Sequence, residues 1–342
     1  MSYTATVLDE VRAQVAPDDL TLKTAKARRD DTLESAAAFD GVSRTYVSGS
    51  IAHGTANSGL DADCGIVLDR RTWKALGPDG ADVGPCEVVG DVRELVRTSL
   101  AGTYPEIKTR LTKRAIVLTF HEELLNGLDP SVDLIVGLQR AAGGLWIPNL
   151  EDDSWDASNP ICHTDLLTAD PASLRVTRAR IIRLAKCWNS QYSTAGMCSF
   201  NIEALALACI EEGVGVARGL AAFFEYAVGD VRARNTPDPA KVSKPIKLKV
   251  EREVMVDRLE SARDLVQKSL DNDSDEAIVR TTLADLFWMH LDSPVGTESK
   301  SAMASSLREG NAGVRMGAGL AVVGAGAGAA LKTGRAYGSG PF

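Results

Sequence analysis

The sequence predicts an α+β protein in two parts, and three observations predict it. Short strand-like runs alternate with amphipathic helices through the first 140 residues. Everything after Trp146 reads as helix or polar connection. Two of the strand-like runs carry acids inside otherwise apolar stretches, so the strands form a platform for chemistry as well as a core.

In chain order, residues 5–16 and 20–39 read as helices; in the second, Leu22, Ala25, Leu33, Ala36 and Ala37 make an apolar stripe among charges. The run 44–50, "RTYVSGS", reads as a short strand entering a turn, and 61–69, "DADCGIVLD", as a strand that begins polar and ends apolar. Residues 90–100 form a helix. "RAIVLTF" (114–120) and "SVDLIVGL" (131–138) are strands separated by a loop containing Asn126-Gly127. That gives about four strands in the first 140 residues, an α+β or α/β module. Residues 152–160, "DDSWDASNP", read as a polar loop. Helices follow at 171–190, 199–211 and 213–229, then, after the Pro-rich "NTPDPAKVSKP" (235–245), at about 247–270 and 274–291. The expected division is therefore 1–150 for the mixed part with its N-terminal helices, 151–296 for the helical part and 297–342 for a Gly/Ala-rich flexible tail, with no internal repeat.

Bulk properties narrow the function. With 342 residues the chain can bury a substantial core, and 44% hydrophobic and 25% charged residues are ordinary for a globular protein. A formal net charge of −8 argues against a duplex-nucleic-acid surface as the default. The six cysteines lack CxxC and zinc spacings, so they read as mostly buried thiols in a reducing cytoplasm. The N-terminus lacks the pattern of a signal peptide. Residues 316–331, "MGAGLAVVGAGAGAAL", are uncharged but too short for a membrane span and dominated by Gly and Ala, so a loose tail is expected. Lys332-Thr333 is not preceded by the glycine of a P-loop lysine, and the glycines of "GVGVARG" (213–219) follow no strand, so neither is a phosphate-binding fingerprint.

The acids carry the chemistry. Asp61 and Asp63 are two apart, so on a strand both side chains project to one face. Asp133 is a lone acid in an apolar strand, where burial without compensation is costly. If the two strands are neighbours, three carboxylates converge, and a divalent cation with oxygen ligands resolves their repulsion. Just upstream, Gly49-Ser50 and Gly54-Thr55 make small-residue turns in which backbone N–H groups and the Ser50 hydroxyl can approach phosphate oxygens.

This succession, Gly49-Ser50, Gly54-Thr55, Asp61-Ala62-Asp63 and a later strand Asp133, resembles the polymerase-β-like nucleotidyltransferases. The second half is similar to the bacterial oligonucleotide cyclases related to cyclic GMP-AMP synthase, the CD-NTases. The residues that carry it are "RLAKCWN" (183–189) and "GMCSFNIEALAL" (196–207), with "WDASNPICH" (155–163), "LAAFFEYA" (220–227), "PDPA" (237–240) and "ADLFW" (284–288) as further landmarks. The resemblance spans about residues 5–292. It implies a bilobed fold in which a mixed sheet carries the acids and a helical lobe closes the other wall of a cleft. It implies that Asp61, Asp63 and Asp133 ligate two Mg²⁺ or Mn²⁺ ions, that Asp133 orients or deprotonates the attacking hydroxyl, that Gly49 and Ser50 cradle the β- and γ-phosphates, and that Lys186 and Ser199 hold the triphosphate from the helical side. It also implies cyclic di- or trinucleotide synthesis in cytoplasmic anti-phage signalling, nucleoside triphosphates as substrates, an effector reached through the cyclic product, and a protein partner at the C-terminal tail. His53 departs from the pattern, which puts a charged contact there in doubt.

Blander readings stand beside these. Lys186 lies on an amphipathic helix whose lysines usually face solvent, and Ser199 stands where a helix cap is expected. Trp146 and Trp188 read as core, and His163 as structural. Lys108, Arg110, Lys113 and Arg114 read as a solvated edge or a phosphate-facing rim. The alternatives to a cyclase are transfer of a nucleotide to a protein, a tRNA end or a small molecule, and a nucleotide-binding scaffold without turnover.

Overall fold

The computed structural model describes residues 2–292. The expected tail, its proposed partner contact and the 316–331 stretch lie outside the described residues. Two helices open the chain, α1 (Tyr3–Val15) and α2 (Asp19–Ala37), each started by a side-chain cap: Ser2 accepts from the Ala5 N–H and Asp18 from the Thr21 N–H. Then come β1 (Val42–Ser48), the short α3 (Gly49–His53), β2 (Asp61–Leu68), α4 (Cys86–Leu100), β3 (Lys108–Leu111), β4 (Ile116–Thr119), β5 (Ser131–Gln139), β6 (Leu145–Asn149) and β7 (Ser154–Ser158). The helical part runs through α5 (Pro160–Thr168), α6 (Ala172–Ser190), α7 (Ser199–Cys209), α8 (Val216–Ala233), α9 (Arg252–Asp271) and α10 (Glu276–Leu286).

The seven strands form one mixed sheet in the order β1-β2-β5-β4-β3, with β6 on the C-terminal end of β5 and β7 beside β6. Only β2 and β5 run parallel. They are also the strands buried almost end to end, as expected for central strands covered on both faces. Strand alternation sorts their side chains. Ala62, Cys64, Ile66 and Leu68 of β2 join Val132, Leu134, Val136 and Leu138 of β5 in a core shared with α2 and α4. The intervening residues, Asp61 and Asp63 on β2 and Asp133 on β5, face the opposite side. On that side a small cluster of Tyr46, Val67, Ala115, Ile135, Leu145 and Ile147 packs with Ile161 of α5.

The mixed α+β class and helical second half agree with expectation; several details differ. The first 140 residues hold five strands. The unpredicted β3, "KTRL", is an exposed edge strand with almost no apolar alternation to mark it. The expected polar loop at 152–160 contains β7, whose anchor is Trp155, buried and donating from Nε1 to the Val83 carbonyl at 2.9 Å. That partner is far away in sequence, so no local pattern announces the strand. Helix α5 starts from an Asn159 cap followed by Pro160 at its first turn. Helix α1 buries Val7, Leu8, Val11 and Val15 in the helical core with α6, α8, α9 and α10, away from the sheet core. Of the six cysteines Cys64 and Cys187 are buried, Cys162, Cys198 and Cys209 are intermediate, and Cys86 is exposed. Among the described residues no helix is long and apolar enough to cross a membrane.

One buried arginine ties α2 to the loop that feeds β5. The Arg28 guanidinium, 3% exposed, donates to Asp129 Oδ1 at 2.6 Å, to the Pro130 carbonyl at 2.7 Å and to the Glu122 carbonyl at 2.9 Å, and lies over the Phe120 ring. Removing it strands a carboxylate and two carbonyls. Arg28→Ala is expected to cost about 3 kcal/mol of stability, read by urea unfolding. A loss below about 1 kcal/mol would show that water replaces these bonds without penalty.

Candidate active site

The parallel pairing of β2 and β5 puts Asp63 in register with Asp133 and Asp61 with Ser131. The antiparallel β1 places Ser48 opposite Asp63, so the chain turns into α3 directly beside that carboxylate. Gly49 makes the turn at φ +73°, and a Cβ there would lie 1.8 Å from Asp63 Oδ2. Glycine is required both for the left-handed backbone and for the close approach. Asp63 and Asp133 are buried, while Asp61 is half-buried and accepts a short hydrogen bond from the Ser131 hydroxyl. Asp63 Oδ2 is buried without a hydrogen-bond partner. Burial first, then Asp133 and Asp61, push the Asp63 carboxyl well above the usual carboxylate range; Glu203 adds to the push and Lys186 opposes it.

A cavity of about 650 Å³ opens in front of Asp61, walled by both halves of the chain. Ser50, Thr55 and Asp61 line it from the sheet side, and Lys186, Ser199 and Lys249 from the helical side. Four of the seven expected site residues, Ser50, Asp61, Lys186 and Ser199, thus share one cavity. Gly49, Asp63 and Asp133 stand behind Asp61 in the turn and the sheet.

Asp61, Asp63 and Asp133 lie near enough for the first and last to act on the Asp63 carboxyl, but their side chains do not form a ready-made cluster. Among the described residues no three His, Cys, Asp or Glu side chains stand together as a metal-binding group. The reason is local: Asp61 is turned onto Ser131, and Asp63 Oδ2 rests against the Gly49 backbone. The donor chemistry still fits a hard divalent cation, because a buried carboxylate oxygen lacks a partner where acidic charge accumulates.

Ser199 does not cap its helix. Cys198 occupies the cap position, with no side-chain cap bond, and Ser199 is the first residue inside α7. Lys186 is no solvated lysine: its side chain is 11% exposed and pairs with Glu203 Oε1 at 2.7 Å. Glu203 escaped the sequence reading. It is a buried acid on α7 that also accepts from the Thr55 hydroxyl at 2.6 Å and meets His53 Nδ1 at 3.1 Å. Burial pushes its carboxyl up, but the Lys186 ammonium and His53 outweigh it and hold it well below the usual carboxylate range. The signal was available, since "SFNIEALAL" sets one acid in an apolar helix just as "SVDLIVGL" sets Asp133 in an apolar strand. His53 turns its other nitrogen to the Thr164 hydroxyl at 3.1 Å, so both ring nitrogens face protein groups.

The remaining picks fall into structural roles. His163 pairs with buried Asp238 at 2.6 Å and anchors the Pro-rich connection. Trp188 lies in the helical core, and Trp146 is half-buried with its Nε1 donating to Asp79. Lys113 and Arg114 pair with Glu151 and Asp156, while Lys108 and Arg110 lie on the edge strand, Lys108 exposed.

Solved structures share this architecture. CdnC of E. coli MS115-1, solved with ATP, superposes with a TM-score of 0.63 at 17% identity, covering 85% of this chain and 99% of that one. The chain has the CD-NTase fold. The CD-NTase CdnG of Bradyrhizobium diazoefficiens, solved with GTP, gives 0.57 at 15% identity over 82% of this chain and 98% of its own. The cyclic AMP-GMP synthase DncV of Vibrio cholerae gives 0.53 at 13% identity over 83% and 86%. No protein-family profile matches the chain, and no curated protein matches it in sequence. Asp61 of β2 and the Lys186–Ser199 wall line the same cavity.

Proposed function

We propose that the chain is a metal-dependent nucleotidyltransferase that joins nucleoside triphosphates into cyclic di- or trinucleotides for anti-phage signalling in the cytoplasm. The observation that carries this reading is the two-sided cavity, with Ser50 and Asp61 on one wall and Lys186 and Ser199 on the other. Its likeness in fold to a cyclic AMP-GMP synthase supports the cyclic product.

The residues divide the work. The Gly49–Ser50 turn and the Ser50 hydroxyl bind the β- and γ-phosphates, and Lys186 and Ser199 hold the same triphosphate from the helical wall. Asp133 orients the attacking ribose hydroxyl and accepts its proton on a carboxylate oxygen. Asp61, Asp63 and Asp133 would hold two Mg²⁺ or Mn²⁺ ions, which when bound supply positive charge at the reacting phosphorus and the departing pyrophosphate. A second transfer in the same cavity, with the linear intermediate rebound, closes the ring. A separate effector then reads the product. A protein partner is also proposed, by likeness to CdnC, which has been solved in a complex with HORMA-deltaN.

Incubation with four labelled triphosphates and Mg²⁺ or Mn²⁺ tests the reading. A phosphatase-resistant product of cyclic-nucleotide mass is expected, and excess EDTA is expected to lower its formation at least about a hundredfold. Linear or protein-attached label would favour transfer to another acceptor. Tight triphosphate binding without pyrophosphate release would favour a scaffold.

A further inference from the structure

We propose that Glu203 is a positioning residue that latches the two walls of the cleft together and sets both phosphate-binding elements from one buried carboxylate. The inference rests on the nucleotidyltransferase reading for its catalytic consequence, but its geometry stands apart from the acids of β2 and β5. Glu203 Oε1 accepts from Lys186 Nζ at 2.7 Å and from the Thr55 hydroxyl at 2.6 Å, and Oε2 faces His53 Nδ1 at 3.1 Å. Lys186 Nζ also reaches the Thr55 hydroxyl at 3.1 Å. His53 in turn meets the Thr164 hydroxyl on α5. Three elements, α3 with its exit, α6 and α7, therefore meet at the Glu203 carboxylate, and His53 extends the contact to α5.

The latch reaches the phosphate side by a short path. The Thr55 N–H donates to the Ser50 carbonyl at 2.8 Å, closing the α3 turn that begins at Gly49. Holding the Thr55 hydroxyl thus holds the end of that turn, while His53, its last helical residue, is held from the other carboxylate oxygen. On the opposite wall, Lys186 is a long side chain with several accessible rotamers, and the ion pair to Glu203 selects one of them at the cavity edge. Glu203 is itself buried on α7, on a stretch of the helix where Ile202, Ala204 and Leu205 are buried as well. A buried acid without these partners would be unfavourable, so it is held in the structure by the elements it positions.

The catalytic effect should fall on substrate binding more than on turnover, because both positioned elements meet the triphosphate and neither is the proton acceptor. In Glu203→Ala, KM for the triphosphate is expected to rise at least about tenfold with kcat lowered no more than about threefold. Glu203→Gln keeps an acceptor oxygen and the side-chain volume and is expected to recover most of the affinity. A wild-type KM in a folded Glu203→Ala variant overturns the proposal. So does a lowered KM, which would mean that Glu203 only withholds the Lys186 charge from phosphate. A second measurement stands without turnover: amide hydrogen exchange in Glu203→Ala should quicken at residues 50–56 while the amides of β2 and β5 keep their protection. Unchanged exchange at 50–56 rejects the latch even if the chain proves not to be a transferase. Faster exchange there in a chain that makes no product upholds the latch and rejects the transferase reading.

Discussion

Replacing Asp61 and Asp63 together by alanine is expected to lower product formation at least about a thousandfold without lowering the melting temperature. The two halves of this expectation have one cause. Asp63 is buried, one of its oxygens has no partner, and Asp133 and Asp61 both act to disfavour its charge. A carboxylate so placed opposes folding unless a counter-charge arrives with the substrate. Asp63→Asn alone isolates the stability half: it keeps the volume and removes the charge, so the ligand-free variant should melt at or above the wild-type temperature. The group is retained for function at the expense of stability, as active sites commonly show. A double variant that still synthesises product would reject the assignment of chemistry to these acids. A clear fall in the melting temperature of Asp63→Asn would show that the carboxylate is structural after all.

The acids were legible because two simple rules apply to them. Spacing of two on a strand fixes a shared face, and an acid within an apolar strand demands a reason. The same second rule applied to Glu203, yet the expectation fixed on Ser199 four residues earlier as the feature of that helix. What no local rule supplies is the partner. Glu203 meets His53 and Thr55 across some 150 residues of chain, and Lys186 meets Thr55 across 131. Without them, His53 reads as a departure from a phosphate-binding pattern; with them, it is a brace between walls. β7 is missed for a related reason, since Trp155 is buried by Val83 and the sheet rather than by its neighbours in sequence. The longer helices, whose periodicity is local, were readable, while the short α3 and α5 were not; nor were the neighbours of the acids, because Asp61 and Asp63 answer to Ser131 and Gly49.

Gly49→Ala and Gly54→Ala are expected to differ sharply, although the two glycines share a left-handed backbone, at φ +73° and +71°. The backbone cost alone is about 1 kcal/mol for an alanine in that conformation. At Gly54 nothing lies within 4 Å of the added Cβ, so that cost is the whole effect. At Gly49 the Cβ would fall 1.8 Å from Asp63 Oδ2, 2.4 Å from its Cγ and 2.7 Å from its Cβ. The last of these is close to the backbone of a central strand, so rotating the carboxylate does not clear the clash; β1 and α3 must move away from β2. Overpacking of that kind adds about 1–3 kcal/mol, for a total of about 2–4 kcal/mol. The displaced turn is the one that carries Ser50, and an ångström of misplacement at a reacting centre costs about a hundredfold in rate. Gly49→Ala should therefore lose about a hundredfold or more in kcat/KM and melt several degrees lower, while Gly54→Ala should melt slightly lower and keep most of its activity. Equal effects at the two positions would mean that backbone conformation, and not the contact with Asp63, is what the first glycine is there to provide.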